Sequence, residues 1–318
     1  MIKSTFDVSP GYSFLLFLSL SSVTSKPVSP HLTLVIGALC ISLSPILTRL
    51  SGTPGLSSAF YRVFFASLLF IPYVLIKGRY RSSRSNILLA LLAGGFFGCD
   101  LACWNQSIMM SDIAIATVLA NLAPVWAGLI LWILYHKEPG RNFWIGLIIA
   151  LIGLVVLTGA DIWVHMKFET GNLLALLAGF LYSWYLVITG RVRSGMSNTP
   201  FMFYSLIGYL ITSGLIVLIL HYPVTGFNNR SWLFLILLAL IPQLAGWLLV
   251  NHSLGHIPTT EVSISMLGQI VITLSLAAIL FNERLSLHQW VGCTIILSGI
   301  AYIQLMNNRS HLKSEVKV

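Results

Sequence analysis

Ten stretches of this sequence are almost purely apolar, and each is about as long as a membrane is thick. An α-helix needs about 20 residues to cross ~30 Å of hydrocarbon. The connections between the stretches are short, so we expect no extramembrane catalytic domain. The sequence therefore predicts an all-α integral membrane protein with spans at 32–50, 56–76, 86–108, 113–135, 143–160, 171–190, 200–220, 232–252, 259–281 and 287–306.

Composition argues against two soluble domains, although 318 residues would be long enough for them. Charged residues make up 8% of the chain, whereas soluble proteins hold about 25%. The cysteines all lie inside apolar stretches, where a thiol is a typical packing residue. We therefore expect neither a disulfide framework nor a metal site from Cys40, Cys99, Cys103 and Cys293.

Positive charge is distributed unevenly between the two sides of the predicted bundle. With the N-terminus inside, the inner segments carry Lys3, Lys26, Lys77, Arg79, Arg81, Arg84, Lys137, Arg141, Arg191, Arg193, Arg309, Lys313 and Lys317. The outer segments carry only Arg49, Lys167, Arg230 and Arg284. The net charge of +9 therefore reflects the positive-inside rule and not nucleic-acid binding. We predict a multi-pass protein of the cell (inner) membrane with both termini cytoplasmic.

The first 30 residues precede the first span. An apolar run from Tyr12 to Leu20 follows Lys3 and resembles a short signal peptide. Cleavage would leave the new N-terminus outside, against the distribution of charge. We therefore predict an uncleaved cytoplasmic or interfacial tail over residues 1–30.

The chain repeats itself at an offset of roughly 140 residues, a signal that takes precedence over local patterns. The matched pairs, in chain order, are Gly37 with Gly179, Arg49 with Arg191, Asp100 with Gln243, Trp104 with Trp247, Glu138 with Glu283, Gly146 with Gly292 and Gly153 with Gly299. We predict a first five-helix repeat over 31–165, a second over 166–307 and a cytoplasmic C-terminal tail over 308–318. An odd number of spans inserts the second repeat upside down, so the predicted fold is ten transmembrane helices as two inverted five-helix repeats. Such repeats are typical of secondary transporters, whose substrate site lies near the midplane.

Several stretches carry a family resemblance through their order and spacing. They are RLSGTPGLSSAFYR at 49–62, DLACW at 100–104, AIATVLANLAPVWAGLILWILYHKE at 114–138, QLAGWLLVN at 243–251 and the ninth span from Thr260 to Glu283. Over residues 31–306 the chain resembles the EamA-type transporters of the drug/metabolite transporter superfamily. The resemblance implies a ten-helix transporter that exports a small metabolite, and it does not identify the substrate.

The two halves differ at one point of this pattern. Pro124 lies fourteen residues before Glu138, whereas Gln269 takes that position before Glu283. Proline loosens a helix because it lacks a backbone donor. We therefore expect a break in the fourth span without a matching break in the ninth.

Arg62 and Asp100 are ionisable residues well inside their spans. Such groups are costly in lipid and indicate a site or an ion pair. Both are expected about 9–12 Å below the outer surface, at 1.5 Å per residue. Two interpretations stay open: a structural salt bridge, or a site in which Asp100 binds a cationic group or a coupling proton.

Polar and aromatic residues at four-residue spacing recur at matching points of the two repeats. This spacing places them on one helix face, and lipid cannot satisfy their hydrogen bonds. We predict a cavity that binds the substrate through Asp100, Trp104, Gln243, Trp247, Asn251, Arg62, Asn121 and Gln269. The alternative is that these groups only hold helices together.

Other groups have simpler explanations. Acidic residues at span ends are predicted to be structural, namely Glu138, Glu283, Asp112 and Glu261. His252 and His256 lie near Glu261, but no zinc motif accompanies them, so we expect no metal. No phosphate-binding loop is present, and we expect no cofactor. Tyr182 and Trp184 either line the cavity or face lipid.

Glycines at seven-residue spacing form one further pattern, and they predict faces for close packing. These glycines are Gly146, Gly153, Gly292 and Gly299. The faces could meet within the chain or in a homodimer.

Three functional hypotheses follow from these patterns. The leading one is a secondary transporter that exports a small metabolite, such as an amino acid or another amphipathic compound, by alternating access. The second is a passive facilitator or exchanger. The third is a membrane-embedded enzyme or lipid-handling protein, which would need a nucleophile–base pair or clustered ligands that the sequence does not bring together.

The distribution of charge predicts the location of the C-terminus. A cytoplasm-dependent reporter fused after Val318 should be active in a bacterial host, and a periplasm-dependent reporter at the same point should be silent. The opposite result would mean an odd number of spans and would contradict the inverted repeat as well.

Overall fold

The computed structural model describes residues 29–77, 82–111, 113–159, 169–281 and 284–315, and all regular structure among them is helical. Ten helices are long and apolar enough to cross a membrane. We number them α1 Pro30–Ser51, α2 Gly55–Ile76, α3 Arg84–Met110, α4 Ile115–Tyr135, α5 Arg141–Thr158, α6 Thr170–Arg193, α7 Asn198–Ile219, α8 Asn229–Leu254, α9 Thr259–Leu280 and α10 Leu287–Met306. The prediction of ten spans is confirmed.

The predicted tails at the two ends of the chain are described only in part. The helix that contains α10 continues to Glu315, so the predicted tail over 308–318 begins inside a helix. Most of the predicted tail over residues 1–30 lies outside the described residues, and so do Asp112 and Glu283. Their predicted roles stay predictions.

Two helices break where proline removes a backbone donor. In α1 the helix stops at Ser42 and resumes at Ser44, directly before Pro45. In α4 it stops at Ala120 and resumes at Ala123, directly before Pro124. Proline fits the first turn of a helix because the N–H groups there have no partner within the helix. Both spans therefore consist of two helical segments joined by a short turn.

The expectation of an unbroken ninth span is wrong. Helix α9 consists of Thr259–Ser265 and Gly268–Phe281, with Met266 and Leu267 between them. The backbone there tightens to three-residue hydrogen bonds, with the Leu267 amide 2.9 Å from the Ile264 carbonyl. The same tightening joins Leu122 to Leu119 in α4. A break therefore forms at corresponding points of both halves, and only one of them needs proline.

Helix α8 contains a π-helical segment at Ala239–Gly246, which includes Pro242 and Gln243. Pro242 cannot donate to the carbonyl four residues earlier, so regular α geometry is lost around it. Wide turns of this kind are uncommon and frequently mark functional sites.

The packing of the ten helices follows one pattern in both halves. Helix α3 packs against α6 and α7, and α8 packs against α1 and α2. Helix α4 packs against α6, and α9 packs against α1. Helices α2 and α7 contact each other, as do α5 and α10. Each of these contacts is retained when the two halves are exchanged, which is expected of a pseudo-two-fold relation.

The glycine faces meet each other inside the chain, in the contact between α5 and α10. A Cβ atom on Gly153 would lie 2.6 Å from the Ile296 nitrogen and 2.9 Å from the Gly292 carbonyl. A Cβ atom on Gly146 would lie 2.9 Å from the Gly299 carbonyl. Glycine is required there because the two backbones touch, so this face is not available to a second subunit.

This contact predicts a steric penalty for one added methyl group. Gly153→Ala should lower the free energy of unfolding by about 1–3 kcal/mol, the usual cost of overpacking a tight interface. Gly95→Ala is the matched control, because its Cβ would meet only the Thr212 side chain at 3.4 Å. Thermal unfolding in detergent should show a lower Tm for Gly153→Ala alone. Equal Tm values would contradict the close contact.

Candidate functional site

Arg62 connects three helices in the interior of the bundle. Its side chain projects from α2 and is 7% exposed. The Nε donates to Gln243 Oε1 in the π segment of α8 at 3.0 Å. The Nη1 donates to Ser44 Oγ at the break in α1 at 3.1 Å. The irregular segments of α1 and α8 therefore supply the acceptors for this buried cation.

Asp100 lies nearby on α3 and is 9% exposed. Its charge interacts electrostatically with that of Arg62. Among the described residues no N–O contact within 4.0 Å joins the two, and the salt bridge found there links His31 to Glu261. The carboxylate of Asp100 also accepts no hydrogen bond from the described residues. It is a buried acidic group without a partner.

An aromatic cluster adjoins Asp100, and its member on α3 lies one turn before Asp100. Phe97 lies 4.7 Å from Trp247 and 4.8 Å from Tyr185, measured between ring centroids. Tyr182 lies 6.1 Å from Trp247 and interacts electrostatically with Asp100. Trp247 is 4% exposed. The cluster forms an apolar wall beside the two charges.

Two polar atoms of this wall lack partners. Trp247 Nε1 and Tyr182 Oη are both buried, and neither forms a hydrogen bond within the described part of the chain. Burying a donor without an acceptor costs about 1–3 kcal/mol. Such atoms indicate a place where water or a ligand belongs.

Asn251 is a predicted site residue whose side-chain amide is already used in contacts with other helices. The side chain is fully buried, and Oδ1 accepts from Tyr185 Oη at 2.8 Å. Its Nδ2 lies 3.7 Å from Met202 Sδ. Its carbonyl accepts from Arg193 Nε at 2.9 Å. The position ties α8 to α6 and α7, and substrate binding by Asn251 stays a prediction.

The remaining predicted residues lie around the helix breaks and along α3. Asn121 occupies the turn within α4, where its Nδ2 donates to the Thr117 carbonyl at 2.8 Å. Gln269 is the second residue after the break in α9 and is half-buried. Trp104 is half-buried on α3, one turn beyond Asp100. The structure joins Arg62 and Gln243 by a hydrogen bond, with Asp100 and Trp247 beside them. Within the described residues, Asn121, Gln269 and Trp104 form no hydrogen bond to this group.

Sequence reasoning missed two features of this region. Ser44 binds Arg62, and its only signal was the proline that follows it. His31 Nε2 lies 2.9 Å from Glu261 Oε1, and Glu261 is 5% exposed. These two residues are 230 positions apart, so no local pattern could pair them.

The His31–Glu261 pair belongs to a closed contact at the end of the bundle where α1 begins. Ser253 of α8 donates to the Pro30 carbonyl at 2.8 Å, and its hydroxyl lies 2.8 Å from Thr33 Oγ1. The first turns of α1 are thus fixed to both α8 and α9.

Four cysteines and two neighbouring histidines are the other candidate groups for disulfide or metal chemistry. All four cysteines are free thiols. The rings of His252 and His256 lie 4.4 Å apart, while Glu261 faces His31.

Comparison with protein families matches this chain to the EamA-like transporter family, over residues 28–159 and again over residues 169–305. An uncharacterized transporter of Archaeoglobus fulgidus is 24% identical over 84% of this chain and 93% of its own length. An S-adenosylmethionine uptake transporter of Rickettsia prowazekii is 21% identical over 85% of this chain and 90% of its own.

A protein of known crystal structure has a similar fold. It aligns with a TM-score of 0.73 at 20% sequence identity, over 89% of this chain and 99% of the solved chain. At that identity the likeness concerns the fold alone.

The hydrogen bond between Arg62 and Gln243 predicts a stability effect. Gln243→Leu should lower the free energy of unfolding by about 1–3 kcal/mol, because it leaves a buried guanidinium without an acceptor. The double variant with Arg62→Met should recover part of the loss. Gln269→Leu is the control, since the side chain of Gln269 has no hydrogen bond within the described residues. Equal losses in Gln243→Leu and Gln269→Leu, measured by thermal unfolding, would contradict the assignment.

Proposed function

This chain belongs to the EamA-like transporter family, and on that premise we propose that it is a secondary transporter that exports a small amphipathic metabolite by alternating access. Membership of the family and the transporter names of its relatives make it a membrane transporter and not an enzyme. The observation that carries the proposal is Asp100, a largely buried carboxylate that forms no hydrogen bond or salt bridge with the described residues and lies beside an aromatic wall.

The helix breaks support alternating access. Breaks in α1, α4 and α9 and the π segment of α8 give four spans a point at which one part can move relative to the other. Irregular spans of this kind surround the substrate sites of secondary transporters. The two matches of the family, one to each half, support the inverted repeat on which this mechanism depends.

Helix α1 is held at both of its ends by contacts with neighbouring helices. At one end His31 contacts Glu261, and Ser253 donates to the Pro30 carbonyl. At the other end Ser231 Oγ donates to the Ser51 carbonyl at 2.5 Å. Release of one set while the other holds would open the site to one side at a time, and the predicted cytoplasmic N-terminus makes the His31 end the inner one.

Asp100 is also the group that would couple transport to protons. An ionisable group inside a span is costly unless it is paired, so the Asp100 carboxylate gains from binding either a proton or a cationic group. A carboxylate that holds either a proton or the substrate exchanges one for the other across the membrane. A passive facilitator would bind the same substrate without this exchange, so the dependence on a pH gradient separates the two hypotheses.

Candidate substrates are amino acids, other amphipathic metabolites and S-adenosylmethionine, the compound in the name of the Rickettsia relatives. Those relatives are named for uptake, whereas we propose export. Loading proteoliposomes from either side, with and without a pH gradient, tests both directions.

The proposal predicts that Asp100→Asn folds and does not transport. Purified protein in proteoliposomes should move at least one of these compounds, and Asp100→Asn should reduce its rate about tenfold or more, because a charge-assisted contact is worth about 1.5–3 kcal/mol. Tm should stay close to that of the wild type, since within the described part of the chain Asp100 has no hydrogen bond or salt bridge to lose.

Cys99→Ala is the matched control for this substitution, because Cys99 is a half-buried neighbour on the same helix. It should transport at the rate of the wild type. Full transport by Asp100→Asn would remove Asp100 from the site. Failure of the folded wild type to move any compound of the panel would contradict the proposed function itself.

A further inference from the structure

Two arginines from distant parts of the sequence line one cavity on the surface of the bundle. The cavity has a volume of about 370 Å³, and both Arg49 and Arg230 border it. Arg49 belongs to the last turn of α1, and Arg230 belongs to the first turn of α8. The other residues that line the cavity are Leu50, Ser51, Gly52, Asn228 and Ser231. None of these described residues is acidic. The cavity lies at the end of the bundle opposite His31, which the predicted topology makes the outer end.

The helix ends around the cavity favour a negative charge. Helix α8 begins here with Asn228 as its N-cap, and the first N–H groups of a helix carry a partial positive charge. The end of α1 also reaches the cavity, where free carbonyls would repel an anion. The Arg49 carbonyl accepts from the Gly52 amide at 3.3 Å, and the Ser51 carbonyl accepts from Ser231 Oγ at 2.5 Å. The positive charges of α8 and of the two guanidinium groups therefore outweigh the end of α1.

The cavity has both room and donors for an oxyanion. Gly52 ends α1 with a φ of 62°, and a Cβ atom there would meet no atom within 4 Å. A guanidinium carries five N–H donors in a planar fork that matches the oxygens of a phosphate. Arg49 and Arg230 can therefore bind a phosphate and keep their contacts within the protein.

An aromatic cluster indicates the level of this cavity in the membrane. The ring centroids of Tyr61 and Phe227 lie 4.9 Å and 5.6 Å from that of Trp232. Trp232 directly follows Ser231, which lines the cavity. Tyrosine and tryptophan concentrate at the level of the lipid headgroups. The cavity therefore lies at the depth of the phosphates of one leaflet.

Arg230 also borders the surface of α8 that faces lipid. Leu233 lies one turn further along the same face of the helix and is 56% exposed. The guanidinium of Arg230 lies over the ring of Phe234, 5.7 Å from its centroid. An exposed apolar side chain on a spanning helix contacts acyl chains. One lipid molecule can therefore place its phosphate in the cavity and an acyl chain along α8.

We propose that this cavity binds the phosphate of a phospholipid from the outer leaflet. Arg49 holds the phosphate from α1 and Arg230 holds it from α8. The bound lipid thus joins these two helices beside the hydrogen bond between Ser231 and Ser51, and it stabilises the closed outer end of the bundle. A phosphate ion in solution has a similar charge but lacks the acyl chains that Leu233 contacts. The site is separate from the substrate site, so it does not depend on which compound is transported.

The test is the effect of lipid on the Tm of the full-length protein in detergent. The probe is dioleoyl phosphatidylglycerol, which should raise Tm in a saturable manner because a ligand of the folded state stabilises that state. Dioleoylglycerol has the same acyl chains without the phosphate, and inorganic phosphate has no acyl chains. Neither of them should raise Tm at the same concentration.

Variants assign the effect to the cavity. Arg49→Gln and Arg230→Gln should each increase the lipid concentration at half-maximal effect about tenfold or more, because each removes a charge-assisted contact. Each variant is compared with its own Tm without lipid, so a change in intrinsic stability does not alter the result. Arg284→Gln is the matched control, since it removes an exposed arginine of the predicted outer side that does not line the cavity. It should respond to lipid as the wild type does.

Three results would overturn the inference. An equal response of Arg49→Gln, Arg230→Gln and Arg284→Gln would mean a general attraction of charge. A phosphatidylglycerol effect that is absent, or that dioleoylglycerol reproduces, would leave no role for the phosphate. A rise in Tm with inorganic phosphate that Arg49→Gln abolishes would identify a site for soluble anions and not for lipid.

Discussion

The hydrogen bonds of Arg62 hold the interior of this bundle together. A guanidinium cannot lie in hydrocarbon without acceptors, and most carbonyls of a regular α-helix are already bonded within the helix. Side chains from α1 and α8 supply the acceptors, each from a place where the helix is irregular. The break beside Ser44 and the wide turn around Gln243 therefore belong to the same arrangement as the buried charge. Because Arg62 binds Gln243 and Ser44, the neighbouring carboxylate of Asp100 keeps its capacity to accept hydrogen bonds.

The two halves contain similar helix breaks that are formed by different residues. In α4 a proline interrupts the helix, and in α9 a tight turn before Gly268 does so. The shared element is the position in the bundle, where α4 packs against α6 and α9 packs against α1. Tertiary packing can impose a turn that local propensity does not require.

Much of the fold could be predicted from the sequence because lipid imposes a strict rule on length and hydropathy. All ten spans follow from that rule. Arg62, Asp100, Gln243 and Trp247 could be chosen because polar groups inside apolar spans are few, and each of them lies in one region of the structure. The rest depends on contacts between distant residues. One helix at a time does not reveal the hydrogen bond between Gln243 and Arg62 or the contact between His31 and Glu261. No residue at the break in α9 predicts that break from the sequence.

The π segment of α8 has a geometric consequence for the residues that follow it. A π-helix bonds each residue to the fifth one along, whereas an α-helix bonds to the fourth. Return of Ala239–Gly246 to α geometry would remove this surplus and rotate the remainder of α8 by about 100° around its axis, the angle of one residue. Trp247 and Asn251 would then point in new directions, and the end of α8 at Leu254 would turn with them. Helix α8 would thus present a different face to Arg62 and Asp100 when its hydrogen-bond register changes.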